Sequence, residues 1–397
     1  MKIAVFSDNF YPELSGIADS VATAVTELGK RDYTIRIYVP EYSVENYKLA
    51  GLSLKEPNLG KKVSLYRLKS LPFLGPTKQS RAVIFSPLIL SEIKKFKPDI
   101  IHSHLFFGAG LEALFVSKIL KIPLVGTSHT PITEYIKSSQ VGSDWLKKAS
   151  SEYVSWYYNQ CEKITAPSKS IIDEMKKKDF KRPFEVISNP IDLRSFKKVS
   201  SIEKKRLKKF FGFQQQTIFY AGRLSPEKKL EVIIQAVNLI DKEREDFNLA
   251  IAGEGSERKP LENLVKKLKL DKRVKFLGIL SKKDLAKAYQ ASDIFVIMST
   301  AETQSISLMQ AMATELPVIG ARARALPEYI NSQNGFLVNP GDYQDLAQKI
   351  LFLFKNPQLG QKMGSKGQKT VKNFSVTKII NQWEKFYQNI PKNKNKE

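Results

Sequence analysis

Several things are scarce in this sequence, and each scarcity narrows the reading. Cys161 is the single cysteine in 397 residues, so an internal disulfide is excluded and a reducing compartment fits. Long hydrophobic runs are missing. The most lipid-like stretch, "AVIFSPLIL", is broken by a proline and falls far short of the ~20 residues that cross a bilayer. The opening "MKIAVFSDNF" turns polar at Ser7 and Asp8, too soon for the apolar core of a signal peptide, and reads as a first strand. A soluble or peripheral protein is expected. Acid is also short: 40 Asp and Glu face 64 Lys and Arg, a net charge of +24. That excess suits a polyanionic partner, either nucleic acid or an anionic membrane face, or else simply keeps surfaces soluble. No nucleic-acid module or aromatic-basic signature accompanies it, so nucleic acid is not the expected partner.

What the chain does have is repetition of one pattern. Short apolar runs, each followed by a longer amphipathic stretch, recur through both halves. The first half contains "KIAVFS", "TIRIYVP", "VSLYRL", "DIIHSH", "PLVGTSH", "KITAPS" and "FEVIS". The second contains "TIFYAGRL", "NLAIAGEG", "VKFLGIL", "DIFVIMST", "PVIGA" and "GFLVN". Buried strands alternating with helical spacers predict parallel sheets covered by helices on both faces. At this length two domains are expected. A proline-, serine- and lysine-rich passage, "NPIDLRSFKKVSSIEKKRLKKFFGF", places their junction near residue 195. The expected division is 1–195, 196–375 and a C-terminal helix with a tail, 376–397. In that last segment Val376, Ile380, Trp383 and Tyr387 share a helical spacing, and it is expected to pack back on the first domain. Two doubly wound domains side by side leave a cleft at the carboxyl ends of their strands.

Unusual residues gather at those strand ends. "GRLSPEKKLEVII" brings Arg223 and Lys228 to a strand exit, where a planar fork and a point charge suit a pyrophosphate, though an ordinary basic loop reads the same way. In "AIAGEGSE", Gly253 and Gly255 permit close backbone approach, but the full dinucleotide spacing is missing. After "DIFVIMS" the chain passes Glu302 and reaches Ser305, a suitable N-cap for a helix whose first amides form an anion site. Glu302 would be repelled by a phosphate, so its task is to accept hydrogen bonds from neutral hydroxyls beside one. His102 and His104, two apart, should share a face of their strand, with His129 at the next strand exit. A tri-histidine zinc site is the sharp alternative to simple hydrogen-bonded histidines, although no acidic partner follows at metal-site spacing.

Taken in order, these segments resemble family 4 glycosyltransferases of the GT-B fold. The resemblance runs from "PELSGIADSV" through "PDIIHSH", "GTSHT", "GRLSPEKKLEVII", "FLGIL" and "ASDIFVIMST" to "ETQSISLMQAMATELPVIG". "LSG" and "ETQ" look most like bacterial diacylglycerol glucosyltransferases. The resemblance implies two Rossmann-like domains facing each other across a cleft and retaining transfer of a hexose, UDP-glucose being the expected donor. It also implies an alpha-linked product on a lipid such as 1,2-diacylglycerol, with no cofactor and no metal. The absence of any Asp-x-Asp pair agrees with the last point. Polyprenyl-linked or soluble saccharides and phosphatidylinositol are alternative acceptors. The first domain would hold the acceptor, and the second the nucleotide-sugar. By the same resemblance Arg223 and Lys228 hold the diphosphate leaving group, and Gly16 lets the first loop lie against phosphate or sugar. His129 sits near the reacting centre, Glu302 binds sugar hydroxyls, the main chain near Leu280 and Gly253 borders the nucleotide, and amides from Ser305, Ile306 and Ser307 to Leu308 complete the phosphate cradle.

The chain departs from that family at three places. Gln310 stands where a second glutamate normally accepts from the ribose. An amide still accepts one bond, but charge assistance worth on the order of 1 kcal/mol is lost. Weaker or altered nucleotide binding follows, and a binding-only pseudoenzyme is the alternative of another class. Asp19 replaces a neutral hydroxyl residue, and Arg324 with Ala325 replaces paired glycines. For a lipid acceptor, "SLPFLGPTKQSRAVIFSPLILSEIKKFK" supplies a stripe of Phe85, Ile89, Ile93 and Phe96 flanked by Lys78, Arg81, Lys94, Lys95 and Lys97. Such a basic amphipathic face either docks peripherally on the anionic inner face of the cell membrane, from the cytoplasm, or packs on the first sheet.

Overall fold

The structure, a computed structural model, describes residues 1–13, 15–72, 79–129 and 144–391, with the side chains of 144, 146 and 147 left aside. Its chain divides into two compact units: Met1–Ile191 together with the segment from Val376, and Asp192–Ser375.

Unit 1 is built on a seven-stranded sheet. Its strands are β1 (Lys2–Ser7), β2 (Thr34–Pro40), β3 (Val63–Leu68), β6 (Ile100–His104), β7 (Leu124–Thr127), β8 (Lys163–Ala166) and β9 (Phe184–Val186). The order is β3-β2-β1-β6-β7-β8-β9, every pairing parallel. Central strands are buried on both faces, as in β1 from Ile3 to Ser7, which explains runs that are apolar throughout rather than alternating. A small antiparallel pair, β4 (Ser70–Pro72) and β5 (Arg81–Val83), stands apart. Unit 2 carries a six-stranded sheet. It is formed by β10 (Gln216–Ala221), β11 (Phe247–Ala252), β12 (Val274–Gly278), β13 (Ile294–Ile297), β14 (Val318–Ala321) and β15 (Gly335–Val338). Their order, β12-β11-β10-β13-β14-β15, is again parallel throughout. Each anticipated strand is present, and helices separate them.

Register decides which residues meet. In unit 1, Ser7 pairs with His104, His104 with Thr127, and Thr127 with Thr165, so four polar residues lie side by side across β1, β6, β7 and β8. In unit 2, Ala221 pairs with Ala252 and Phe219 with Phe295, which levels the exits of β10, β11 and β13.

One expected surface is largely interior. The helix Ile89–Phe96 buries Ile89, Ile93 and Phe96 among the residues packed on the first sheet. At roughly 2 kcal/mol for each buried side chain, that face belongs to the core and is not available to a membrane. Phe85 lies before the helix, is exposed, and meets Phe115 edge to face. Arg81 donates to the carbonyls of Ser70 and Glu41 at 2.6 and 3.1 Å, bracing the small β4–β5 sheet. Lys78 lies outside the described residues. Lys94, Lys95 and Lys97 are exposed. Among the described residues no helix is long and apolar enough to cross a membrane.

The helix Val376–Gln388 belongs to unit 1 and buries Ile379, Ile380, Trp383, Phe386 and Tyr387. Arg31 ties its outer face, donating to Glu384 at 2.7 Å and Asn381 at 2.5 Å.

Candidate functional site

In unit 2 the exits of β10 and β13 are stitched together. Past β10 the chain makes a short turn, Pro226–Lys228, in which the Thr300 amide donates to the Glu227 carbonyl at 3.0 Å. This places Lys228 beside Glu302, 74 residues later: Lys228 Nζ donates to Glu302 Oε1 at 2.6 Å. The two side chains are 17% and 11% exposed. Burial alone would push the Glu302 carboxyl up. The Lys228 charge and hydrogen bond, a further bond from Ser299 and the nearby Arg223 charge outweigh it and hold the group below its ordinary range. Glu302 is therefore a carboxylate in a mostly dry place, steadied by two cations.

The helix Ile306–Ala313 starts where expected, with Ser305 as N-cap accepting from the Leu308 amide at 3.3 Å. Tyr289 braces that start by donating to the Ser307 carbonyl at 2.9 Å. Ile306, Ser307 and Gln310 are half-buried on this helix, which begins just after Glu302. Leu280, also half-buried, lies between β12 and the helix Lys282–Ala291.

Gly253 is constrained by the chain itself. Its φ is +135°, and a Cβ there would lie 1.9 Å from the Gly222 carbonyl oxygen. At Gly255 the clash would be with the Leu224 carbonyl, at 2.1 Å. The close approach expected for a ligand is thus already made between the exits of β10 and β11. Arg324 adopts φ 50°, a left-handed conformation that costs an arginine roughly 1 kcal/mol more than a glycine. The next amide, of Ala325, donates to the Glu302 carbonyl at 3.2 Å, so both residues border the Lys228–Glu302 pair.

Unit 1 gathers the three histidines. His102 and His104 project to one face with ring centroids 4.1 Å apart. His102 Nδ1 meets the Tyr387 hydroxyl and its Nε2 meets Thr127 Oγ1, each at 2.7 Å; Thr127 continues to Thr165 Oγ1 at 2.7 Å. His104 Nδ1 is 2.9 Å from His129 Nε2. All three are buried, and burial pushes each imidazole down, His102 to about 3 and His129 to about 4. With both His102 nitrogens engaged, the tri-histidine zinc arrangement does not form. Among the described residues no group of three or more His, Cys, Asp or Glu is arranged for a metal.

Two further features belong to unit 1. Gly16 opens the helix Gly16–Gly29 rather than lying in the loop before it, with Ser15 as N-cap accepting from Ala18 at 3.1 Å. Asp19 sits exposed in that helix's first turn. Asp8, at the exit of β1, was not foreseen. Its carboxylate accepts from the Phe107 and Ala109 amides at 3.1 and 2.8 Å, capping the helix Gly108–Leu120. Burial pushes it up to about 7 against those backbone bonds. A lone acidic residue ending an apolar strand was the available signal.

Residues 14–195 match Glycosyltransferase Family 4, and residues 201–370 match Glycosyl transferases group 1. The chain belongs to the family 4 glycosyltransferases. This glycosyltransferase is 26% identical over 355 residues to the alpha-monoglucosyldiacylglycerol synthase of Streptococcus pneumoniae, covering 88% of this chain and 78% of that one. It is 25% identical over 369 residues to the enzyme of the same name from Acholeplasma laidlawii, covering 90% and 89%. Among solved structures, Anabaena HepE in complex with UDP-glucose superimposes with a TM-score of 0.77 at 19% identity, covering 98% of this chain and all of that one (100%). That likeness gives the glycosyltransferase its GT-B fold of two Rossmann-like domains.

Proposed function

We propose that this glycosyltransferase moves a hexose, glucose first among candidates, from a UDP-sugar to a membrane lipid such as 1,2-diacylglycerol, with retention, giving an alpha-glycoside. The observation that carries the reading is the buried Lys228–Glu302 pair beside Arg223. A bound donor gives each member a better partner. Its diphosphate takes Lys228 and Arg223 together with the amides of Ser305, Ile306 and Ser307, and its sugar hydroxyls donate to Glu302. Negative charge grows on the diphosphate as the glycosidic bond breaks, and fixed cations count most there. Unit 2 is thus the donor domain, with Gly253 and Leu280 bordering the nucleotide. Unit 1 is the acceptor domain, contributing Gly16 and His129. No cofactor is required. Relatives named for synthesis on diacylglycerol support the lipid acceptor, and the neighbour solved with UDP-glucose supports the donor.

Purified protein incubated with UDP-glucose and diacylglycerol vesicles is expected to yield a glucosyl lipid whose anomeric proton reports the alpha configuration. Absence of both glycolipid and donor hydrolysis, across UDP-, GDP- and ADP-sugars, would sink the reading. The enzyme works peripherally on the anionic inner face of the membrane. Support comes from Ile84, Phe85 and Leu88, exposed apolar residues that shortly precede Lys94, Lys95 and Lys97. It is expected to float with vesicles rich in anionic lipid and not with neutral ones.

Gln310 sets a second expectation. Gln310→Glu restores a charged acceptor for the ribose, worth on the order of 1 kcal/mol, and should lower the donor KM by about fivefold. A wild-type protein that binds UDP without turnover, and gains activity in this variant, would favour the pseudoenzyme instead.

A further inference from the structure

Two buried imidazoles joined by a single hydrogen bond keep their protons in step. His104 Nδ1 and His129 Nε2 are 2.9 Å apart, in rings inclined by 24°. Both residues are 5% exposed, and burial keeps both rings neutral near pH 7. A neutral imidazole offers one N–H and one lone pair. If His104 donates through Nδ1, then His129 accepts at Nε2 and carries its own proton on Nδ1. If instead His129 donates through Nε2, then His104 accepts at Nδ1 and carries its proton on Nε2. Any mixed combination sets two hydrogens or two lone pairs against each other. His102 cannot intervene, because Tyr387 and Thr127 occupy both of its nitrogens.

We propose that His104 is a positioning residue that determines which ring nitrogen of His129 bears the proton, so that a donor at His129 Nδ1 is always matched by an acceptor at His104 Nε2, and the reverse. A histidine's outward chemistry is set by the bond its other nitrogen makes. His129 therefore turns a donor to its surroundings only while His104 donates to it, and an acceptor only while it donates to His104. The coupling of the two rings stands on this geometry alone; its effect on turnover rests on the proposed place of His129 beside the donor sugar.

With only three histidines in the chain, ring-¹⁵N-labelled full-length protein gives a spectrum that single substitutions can assign. Long-range proton–nitrogen correlations at pH 7 are expected to show His104 and His129 in the same tautomer, both Nδ1–H or both Nε2–H. Opposite tautomers in the wild-type protein would overturn the proposal. In His104→Phe the His129 ring is expected to populate both tautomers. His104→Asn, whose amide can donate or accept at the place of Nδ1, gives His129 Nε2 a hydrogen-bond partner again and should move its tautomer balance back toward that of the wild type. An unchanged His129 tautomer in His104→Phe also counts against the coupling. If the functional reading holds, His104→Phe lowers kcat about tenfold at nearly unchanged donor KM, the low end of what loss of a histidine's orienting partner costs in metal sites. His104→Asn recovers most of it. A wild-type enzyme inactive with every donor would remove the functional reading and leave the spectra to decide the coupling.

Discussion

Replacing Lys228 by methionine is expected to lower kcat/KM by roughly 10²–10³-fold, the usual cost of deleting one group that stabilises developing charge. The same change should weaken unit 2 as a folded body. Lys228 Nζ and Glu302 Oε1 lie 2.6 Å apart with both side chains mostly buried. Removing one member strands the other, a loss of about 3–5 kcal/mol, and Arg223 offsets only part of it. In a unit of this size each kcal/mol moves the midpoint by about 2–4 °C, so melting should fall by roughly 10 °C. The double variant Lys228→Met/Glu302→Gln separates the two effects. With no charge left stranded it regains much of the stability, and turnover stays low. Thermal melts followed by circular dichroism, beside donor turnover, make the comparison. Wild-type turnover in Lys228→Met, or a double variant no more stable than the single one, would contradict the account.

Unit 1 is expected to become acid-labile between pH 6.5 and 4, earlier than unit 2. All three histidines of the chain lie in unit 1, and all are held neutral by burial. Below pH 6.5 the unfolded chain binds three protons that the folded unit refuses, so stability falls as pH falls, until the folded values near 3 and 4 are reached. Asp8 acts in the opposite sense. Raised to about 7, it is protonated in the folded unit and ionised in the unfolded chain between pH 7 and 4, which adds stability as pH drops. Three protons against one leave a net difference of two, or at most about 3 kcal/mol per pH unit, because Glu112, whose carboxyl burial also raises, offsets a further part. From pH 6.5 to 5 that amounts to at most about 4 kcal/mol, a large share of the 5–15 kcal/mol typical of a folded domain. Trp145, Trp156 and Trp383 all belong to unit 1, so tryptophan fluorescence in denaturant reports on it alone. A midpoint that holds steady or rises from pH 6.5 to 5 would show that the imidazoles are not buried neutral.

Much of the architecture could be read from periodicity. Parallel strands buried on both faces need continuous apolar runs, and such runs marked the central strands, while the edge strands β3, β9 and β12 carry shorter or broken ones. The helix start at Ser305 was legible because a hydroxyl before an apolar run has a local reason to be there. Interactions over distance were not. Lys228 and Glu302 could each be assigned a ligand to hold, but their mutual bond depends on two loops 74 residues apart meeting at level strand ends. The stripe Ile89–Ile93–Phe96 shows why spacing alone misleads: a helix facing a sheet and one facing lipid share the same period, and burial distinguishes them only after folding. The β4–β5 pair escaped notice because three-residue strands, one ending in proline, carry too little pattern. Asp8 escaped for another reason: its partners are backbone amides, which have no sequence signature.

The helix Val376–Gln388 follows unit 2 in the chain yet completes the unit that is synthesised first. Tyr387 supplies the partner for His102 Nδ1, and Trp383 packs 5.1 Å from the same ring. A growing polypeptide emerging from the ribosome therefore carries an N-terminal half that has an open seam along its sheet, while Asp192–Ser375 already has everything it needs to fold. The half that is translated second is the first able to mature, and the other waits for a helix encoded beyond it to close it.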